Sequence, residues 1–180
     1  MSLEKFYSRP GHLIRRLNQI SMALFFEETQ PLDLTSVQYA ALNMIQEVPG
    51  IDQASLSNMI AFDKTTIVKV LDRLVDKGLI TRTRSETDRR INHLHVTPKG
   101  AALLKEIHPM LDRSDKRILA PLSEVDQRKF MEMLSRLVQV NNIYSRAPLD
   151  TTLRENLLAK SRGKSARPSQ AAKASRGRKG

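Results

Sequence analysis

The stretch Leu56-Ser-Asn-Met-Ile-Ala-Phe-Asp-Lys-Thr-Thr-Ile-Val-Lys-Val-Leu-Asp-Arg-Leu-Val-Asp-Lys-Gly-Leu-Ile80 decides the fold of this 180-residue chain. Its first part belongs to a short predicted helix that begins at Asp52 or Gln53, and a second helix is predicted over 64–77. Gly78 ends the second helix, because glycine readily adopts the left-handed conformation that closes a helix. Apolar residues at helical spacing form the buried stripe of this second helix: Ile67, Val70, Leu71 and Leu74. Two short helices joined by a tight turn, the second starting with small polar and basic residues, predict a helix-turn-helix.

A β-hairpin is predicted directly after the second helix. Residues 79–83 are β-prone, a polar and charged stretch follows over 84–90, and residues 91–97 alternate apolar and polar side chains. Such alternation is typical of a strand with one buried face. A hairpin in this place predicts the wing of a winged helix-turn-helix.

Further helices are predicted on both sides of this lobe, and the expected fold class is mainly α within α+β. They cover residues 11–28, 35–47, a long segment after Pro98-Lys-Gly100, and a last segment from Ser123 through Tyr144. Thr35 and Gln38 have the spacing of a capping box at the start of the second of these helices. Pro109 should kink or split the long helix, because proline lacks the N–H that a helix interior needs.

The composition excludes several classes of protein. The chain has no cysteine, which excludes disulfides, thiolate metal sites and redox sensing by cysteine. It contains no apolar run long enough to span a membrane and no apolar segment typical of a signal peptide. We therefore expect a soluble cytoplasmic protein. There is no Gly-rich phosphate loop and no metal-type motif, so neither an enzyme nor a cofactor is expected.

The net charge of +11 has two unequal sources. Eight of the 30 basic residues and none of the 19 acidic ones lie in 160–180, so 22 basic and 19 acidic residues remain in 1–159. The C-terminal segment is also rich in Ser, Ala and Gly, and it has too little apolar surface to offset its chain entropy. We expect a disordered basic tail that attracts nucleic acid without sequence preference, or one that only improves solubility.

Residues 10–145 resemble the MarR family of bacterial transcriptional regulators. The resemblance rests on the stretch quoted above and on the wing elements Asp88-Arg89-Arg90, Leu94-His-Val-Thr97 and Gly100. It implies a nucleoid-associated, homodimeric regulator of double-stranded DNA operators, most commonly a repressor that a small molecule releases. The four expected segments are an N-terminal dimerisation and ligand helix (1–34), the winged helix-turn-helix lobe (35–100), C-terminal dimerisation helices (101–145) and the basic tail (146–180).

Seven residues are expected at the DNA. In the second helix of the motif, threonine hydroxyls and lysine ammonium groups suit phosphates and base edges, while Arg73 suits phosphate. Arg90, near the tip of the hairpin, suits a narrow minor groove, and Asp88 is expected to orient an arginine. The full set is Lys64, Thr65, Thr66, Lys69, Arg73, Asp88 and Arg90. The competing interpretation is that these are ordinary solvated charges.

Six residues are expected at a small-molecule site. Five of the eight aromatic residues fall within the first 39 positions, and a polar strip runs along the first predicted helix. Aromatic walls with a guanidinium suit a planar aromatic carboxylate, with Arg15 or Arg16 as its anchor and His12 bonded to a ring substituent. The full set is His12, Arg15, Arg16, Gln19, Gln38 and Tyr39. An ion-pairing strip at an interface would show the same pattern.

Two alternatives concern the effector and the class of DNA-binding protein. His93 and His95 project to one face of a strand and His108 lies near Asp112, but no compact cluster of His and Glu supports a metal effector. An architectural DNA-binding protein, dominated by its tail, would bind with weak sequence preference and strong salt dependence. A specific regulator would keep its operator preference without the tail.

Overall fold

In this computed structural model the described residues are 2–62, 64–85, 91–145, 148, 149, 152 and 155, with only the backbone for Lys64. Within these ranges the chain forms seven α-helices and one antiparallel pair of strands. They are α1 (Leu3–Tyr7), α2 (Pro10–Thr29), α3 (Ser36–Glu47), α4 (Gln53–Met59), α5 (Lys64–Asp76), β1 (Ile80–Arg84), β2 (Asn92–Val96), α6 (Pro98–Leu119) and α7 (Glu124–Val140). Short 3₁₀ turns follow α2 and α7, at Gln30–Leu32 and Asn142–Tyr144. The predicted fold class is confirmed.

Side-chain caps set the start of several helices. The predicted capping box is present at α3. The backbone N–H of Gln38 donates to Thr35 Oγ1, and the backbone N–H of Thr35 donates to Gln38 Oε1. Asp52 Oδ1 accepts from two backbone amides of the first turn of α4, at 2.9 Å each. Ser123 caps α7 in the same way. These caps satisfy amides that lack partners within the helix.

The core of the winged lobe lies between α3, α4, α5, the sheet and the start of α6. Helix α5 buries the predicted stripe, and α6 adds Leu104 and Ile107. The fully buried large side chains include Leu42, Ile45, Leu56, Ile67, Leu71, Leu74, Ile80, Leu94 and Ile107. This core holds α5 so that its opposite face meets solvent.

The turn and the wing follow the predicted pattern. Gly78 ends α5 with a positive φ of 68°. In the sheet, Ile80 pairs with Val96 and Arg84 with Asn92. A third short segment joins the wing, because the Gly50 amide donates to the Leu94 carbonyl at 2.9 Å and the Leu94 amide donates back to Ile51. The wing is thereby attached to the chain that precedes α4.

The structure departs from the sequence predictions in the terminal helices. Helix α1 is not among the predicted helices, and α6 runs through Pro109 without being split. Helix α7, predicted to continue through Tyr144, ends at Val140. Helix α2 packs along α6. Of its leucine and isoleucine side chains, Leu17 and Leu24 are half-buried, whereas Leu13 is 54% and Ile20 45% exposed. The expected basic tail lies almost entirely outside the described residues.

Candidate nucleic-acid interface and effector cavity

Helix α5 contains five of the seven predicted DNA-binding residues, and three of them lie on its solvent face. Thr65, Lys69 and Arg73 are exposed, whereas Thr66 is half-buried. The three exposed residues are spaced by four and therefore form one row along the helix, away from the buried stripe. Lys64 begins the helix, but its side chain lies outside the described atoms. A row of hydroxyl and cationic groups on an exposed helix face suits the phosphates and base edges of a groove.

The wing lies next to this row. Asp88 and Arg90, predicted near the wing tip, fall outside the described residues, which reach Ser85 on one strand and resume at Ile91 on the other. A hydrogen bond from the Ser85 amide to the Ile91 carbonyl extends the hairpin beyond its last ladder pair.

Arg82 is a wing residue that is absent from the predicted set. It extends from β1 to α5, where its Nη2 donates to Asp72 Oδ1 at 2.7 Å. The sequence does contain a signal for it, because Arg82 and Arg84 alternate along one strand and so lie on the same face. Both are exposed, which adds positive charge to the base of the wing.

The C-terminal end of α5 is fixed by lysines. Lys77 Nζ donates to Asp33 Oδ2 at 2.9 Å and also to the Asp33 backbone carbonyl. The hydrogen bond from Lys77 holds the pKa of the Asp33 carboxyl below its usual range. Lys99, in the first turn of α6, donates to the Lys77 carbonyl at 2.8 Å. The chain after α2 and the start of α6 therefore both contact the end of α5.

A solvent-open cavity of about 420 Å³ lies on the surface where α1 meets the start of α2, and five of its six lining residues are exposed. Its lining consists of Phe6, Arg9, Pro10, Gly11, His12 and Arg15. The rings of Phe6, Tyr7 and His12 contact one another, with centroids 5.0–5.5 Å apart. Two of the six predicted ligand residues, His12 and Arg15, line this cavity. Phe6 is one of the five aromatic residues near the N-terminus, and the sequence signal missed Arg9 because it precedes the predicted helix.

The other four predicted ligand residues do not line this cavity. Arg16 donates to Gln19 Oε1 at 3.0 Å on the exposed surface of α2. Gln38 is only 3% exposed and its amide oxygen serves the capping box. Tyr39 contacts Phe25, with ring centroids 6.2 Å apart. Burial, with a smaller contribution from the charge of Asp115, raises the pKa of the Tyr39 phenol.

The histidines of the wing have structural neighbours. His93 Nδ1 lies 2.9 Å from the Gly50 carbonyl oxygen, next to the strand-like contact between Asp52 and His93.

Within the part of the chain that is described, no three His, Asp or Glu side chains are close enough together to hold a metal ion. None of its helices is both long and apolar enough to cross a membrane.

The helix-turn-helix, the attached wing and the exposed cationic row define a winged-helix DNA-binding protein, and comparisons with known proteins identify its family. A model of the MarR family matches residues 34–91. The transcriptional regulator HosA of Escherichia coli is 31% identical over 127 residues, which cover 71% of this chain and 93% of HosA. The chain belongs to the MarR family, and it is a DNA-binding transcriptional regulator rather than an enzyme.

Two solved structures are similar over most of their length. The PcaV transcriptional regulator of Streptomyces coelicolor, in complex with its natural ligand, is 30% identical with a TM-score of 0.68, covering 77% of this chain and 98% of PcaV. A mutant of MarR from E. coli, complexed with operator DNA, is 27% identical with a TM-score of 0.69, covering 77% of this chain and 99% of that chain. Both similarities extend well beyond the segment that the family model matches.

Proposed function

We propose that this protein is a homodimeric repressor that a small aromatic carboxylic acid releases from a palindromic operator in the bacterial cytoplasm. The observation that carries the choice of effector is the cavity between α1 and α2, where the ring of Phe6, the imidazole of His12 and the guanidinium groups of Arg9 and Arg15 meet. Its volume of about 420 Å³ is in the usual range for small-molecule sites. PcaV, which has a similar fold, was solved with its natural ligand.

The chemistry of the cavity favours a planar anion. The guanidinium of Arg15 suits a carboxylate, because its donors match both carboxylate oxygens. The ring of Phe6 offers a stacking surface, and His12 suits a hydrogen bond to a ring substituent. Arg15 is the better candidate for the anchor, since it lines the cavity whereas Arg16 is bonded to Gln19. Gln19, Gln38 and Tyr39 do not line the cavity, so their proposed role in effector binding is indirect.

The terminal helices support the proposal of a dimer. Large apolar side chains are exposed on α1, α2, α7 and the turn after it, which is more apolar surface than a soluble monomer usually presents. They are Leu3, Phe6, Tyr7, Leu13, Ile14, Ile20, Met22, Phe26, Val125, Met131, Met133, Leu137, Val138, Val140, Ile143 and Tyr144. A second copy of the chain would bury these faces. A twofold dimer binds an inverted repeat whose half-site centres lie about 10 bp apart.

At the operator, α5 is proposed to enter the major groove and the wing the minor groove. The row of Thr65, Lys69 and Arg73 faces solvent as this requires, and Lys64 and Thr66 belong to the same turns. Arg90 is the proposed minor-groove residue and Asp88 its orienting partner. The similar chain that was solved with operator DNA, the mutant of E. coli MarR, supports this mode of binding.

A connection between the cavity and the DNA-facing lobe is present within one protomer. Near the end of α2, Glu28 accepts from Arg113 Nε at 2.8 Å and from Arg117 Nη1 at 2.9 Å, both on α6. Helix α6 begins at the wing, where Thr97 Oγ1 donates to the Gly78 carbonyl at 2.8 Å. An effector that moves α2 would therefore also act on α6 and the wing, as release of DNA requires.

The test is release of operator DNA by aromatic acids, measured by fluorescence anisotropy with the full-length protein. Benzoate and its hydroxylated derivatives should release the DNA and raise the melting temperature of the free protein. Arg15→Ala should keep operator binding but require at least about tenfold more acid, because a bidentate charged contact is lost. Arg16→Ala is the matched control on the same helix. Failure of every aromatic acid to bind would overturn the choice of effector, and a larger loss in Arg16→Ala would reassign the anchor.

The alternative, an architectural protein, depends on the eight basic residues of 160–180. Deletion of this segment should lower affinity for all DNA and reduce the slope of affinity against salt concentration, while the preference for operator over random DNA stays. If the intact protein shows little preference for any sequence and the deletion removes most of its DNA binding, the architectural interpretation is correct.

A further inference from the structure

Val68 is an exposed apolar residue on the DNA-facing helix. It lies outside the buried stripe of α5 and is 41% exposed. Its neighbours on the helix surface are Thr65, one turn before it, and Asp72, one turn after it, and both are exposed. Asp72 is the residue that bonds Arg82 of the wing. Val68 therefore lies on the side of α5 that faces the wing, beside the cationic row.

Neither packing nor local preference accounts for valine at this position. An exposed side chain adds little to the core, and valine is a weaker helix former than alanine, lysine or glutamate because its branched side chain is restricted in a helix. The surrounding surface is polar, with Thr65 and Lys69 on either side. If this surface faces DNA, the apolar side chain of Val68 among polar neighbours is suited to contact an apolar group of the DNA.

We propose that Val68 reads thymine in each operator half-site, through contact between its methyl groups and the thymine 5-methyl group. This inference rests on the proposed function, in which α5 enters the major groove. In that groove the thymine methyl is the only apolar group that the base edges present, and small apolar side chains recognise it by contact. The residue lies in the first half of α5 (Lys64–Asp76), and the N-terminal part of a recognition helix is the part that reaches base edges.

The experiment starts from the operator itself. Full-length protein selects binding sites from a pool of random-sequence duplexes, and uracil then replaces thymine one position at a time in the selected site. Uracil lacks only the 5-methyl group, so base pairing stays the same. One position in each half-site should lower affinity about fourfold when substituted, the change expected for one buried methyl group. Substitution in both half-sites should lower it about 15-fold, if the two contacts are independent.

Variants connect the effect to the residue. Val68→Ala should lower the affinity for the thymine-containing site about as much as uracil in both half-sites does. Replacing that thymine by uracil should then cause no further loss of affinity, as in a double-mutant cycle. Val75→Ala is the matched control, because Val75 is 37% exposed on the same helix but lies about 10 Å farther along it. It should keep the sensitivity to uracil. Circular dichroism verifies that all variants are folded.

The outcomes separate the inference from the function on which it rests. If the protein selects a site but no uracil substitution matters, or if Val68→Ala stays as sensitive as the unmodified protein, the role of Val68 is overturned and the proposed function stands. If no sequence is enriched from the random pool, the proposed specific regulator is itself overturned, and the inference with it.

Discussion

A salt bridge between Asp72 on α5 and Arg82 on β1 joins α5 to the base of the wing. Their atoms Oδ1 and Nη2 lie 2.7 Å apart, and both residues are exposed. The contact connects two elements that are proposed to enter different grooves. Because both side chains are exposed, the ion pair adds little to the overall stability.

The first prediction concerns this pair. A double-mutant cycle with Asp72→Ala and Arg82→Ala should give a coupling free energy of about 0.5 kcal/mol in urea unfolding. The coupling should become smaller at high salt, because the charges are exposed to screening. Unfolding is followed by circular dichroism, since the chain has no tryptophan. Asp76, exposed one turn farther along α5, is the control: its cycle with Arg82 should show less coupling. Equal coupling for both aspartates would contradict a specific contact.

The lobe around this pair is the part that could be predicted from the sequence. Its signals are local: the spacing of Ile67 and Leu71 indicates a buried face, and Asp52 and Thr35 mark helix starts by their own hydrogen bonds. The glycine at position 78 has the positive φ that its place after α5 indicates. Periodicity, caps and turn residues act over a few positions and are therefore visible without the tertiary structure.

The candidate effector site was less predictable, because it depends on contacts that spacing along α2 does not show. The pattern grouped Arg15 with Arg16, but only Arg15 lines the cavity. It also assigned Gln38 two roles, and the structure places its amide oxygen in the cap. The exposed apolar face of α2 shows why the terminal helices are hard to interpret from one chain: the same stripe that indicates a core also indicates an interface.

Gly100 is predicted to be intolerant of any side chain. A Cβ there would collide with the Leu79 carbonyl oxygen and lie 2.9 Å from Val96 Cγ1. Gly100→Ala should therefore destabilise the fold by about 2–3 kcal/mol, as overpacking of a core does. The measurement is urea unfolding of the purified variant.

Gly11 is the matched control for that substitution. It lies in the first turn of α2, where a Cβ added to it would have nothing within 4 Å. Gly11→Ala should be neutral or stabilising by up to about 1 kcal/mol, because alanine is the better helix former. If Gly100→Ala lowers the free energy of unfolding no more than Gly11→Ala does, the close approach at Gly100 is relieved at little cost.

The capping box of α3 is predicted to stabilise the lobe. Thr35→Ala removes the acceptor for the Gln38 amide, which it bonds at 3.2 Å, and should cost about 1 kcal/mol. Thr35→Ser keeps the hydroxyl and should restore most of the loss. Urea unfolding checks both variants. A loss in Thr35→Ser as large as in Thr35→Ala would assign the effect to the methyl group of threonine instead of to the cap.

The ion pairs between α2 and α6 are predicted to make stability depend on pH. Hydrogen bonds from Arg113 and Arg117 hold the pKa of the Glu28 carboxyl below its ordinary value of 4.5. A carboxyl with a lowered pKa in the folded state contributes stability that is complete above its ordinary pKa and is lost as the pH falls through the lowered one. Glu28→Gln should therefore lower the melting temperature by a few degrees at pH 7. The difference from the unmodified protein should narrow below about pH 4.5 and disappear in stronger acid.

Glu27 is the matched control for this prediction, because it bonds Arg117 alone. The side chain of Glu27 is 65% exposed, compared with 14% for Glu28, so solvent screens its ion pair more strongly. Glu27→Gln should lower the melting temperature less at pH 7. Melting curves by circular dichroism at pH 7, 5, 4 and 3 compare the variants. A difference between Glu28→Gln and the unmodified protein that persists unchanged at pH 3 would show that the carboxylate charge is not its source, since a protonated glutamic acid and a glutamine carry the same charge.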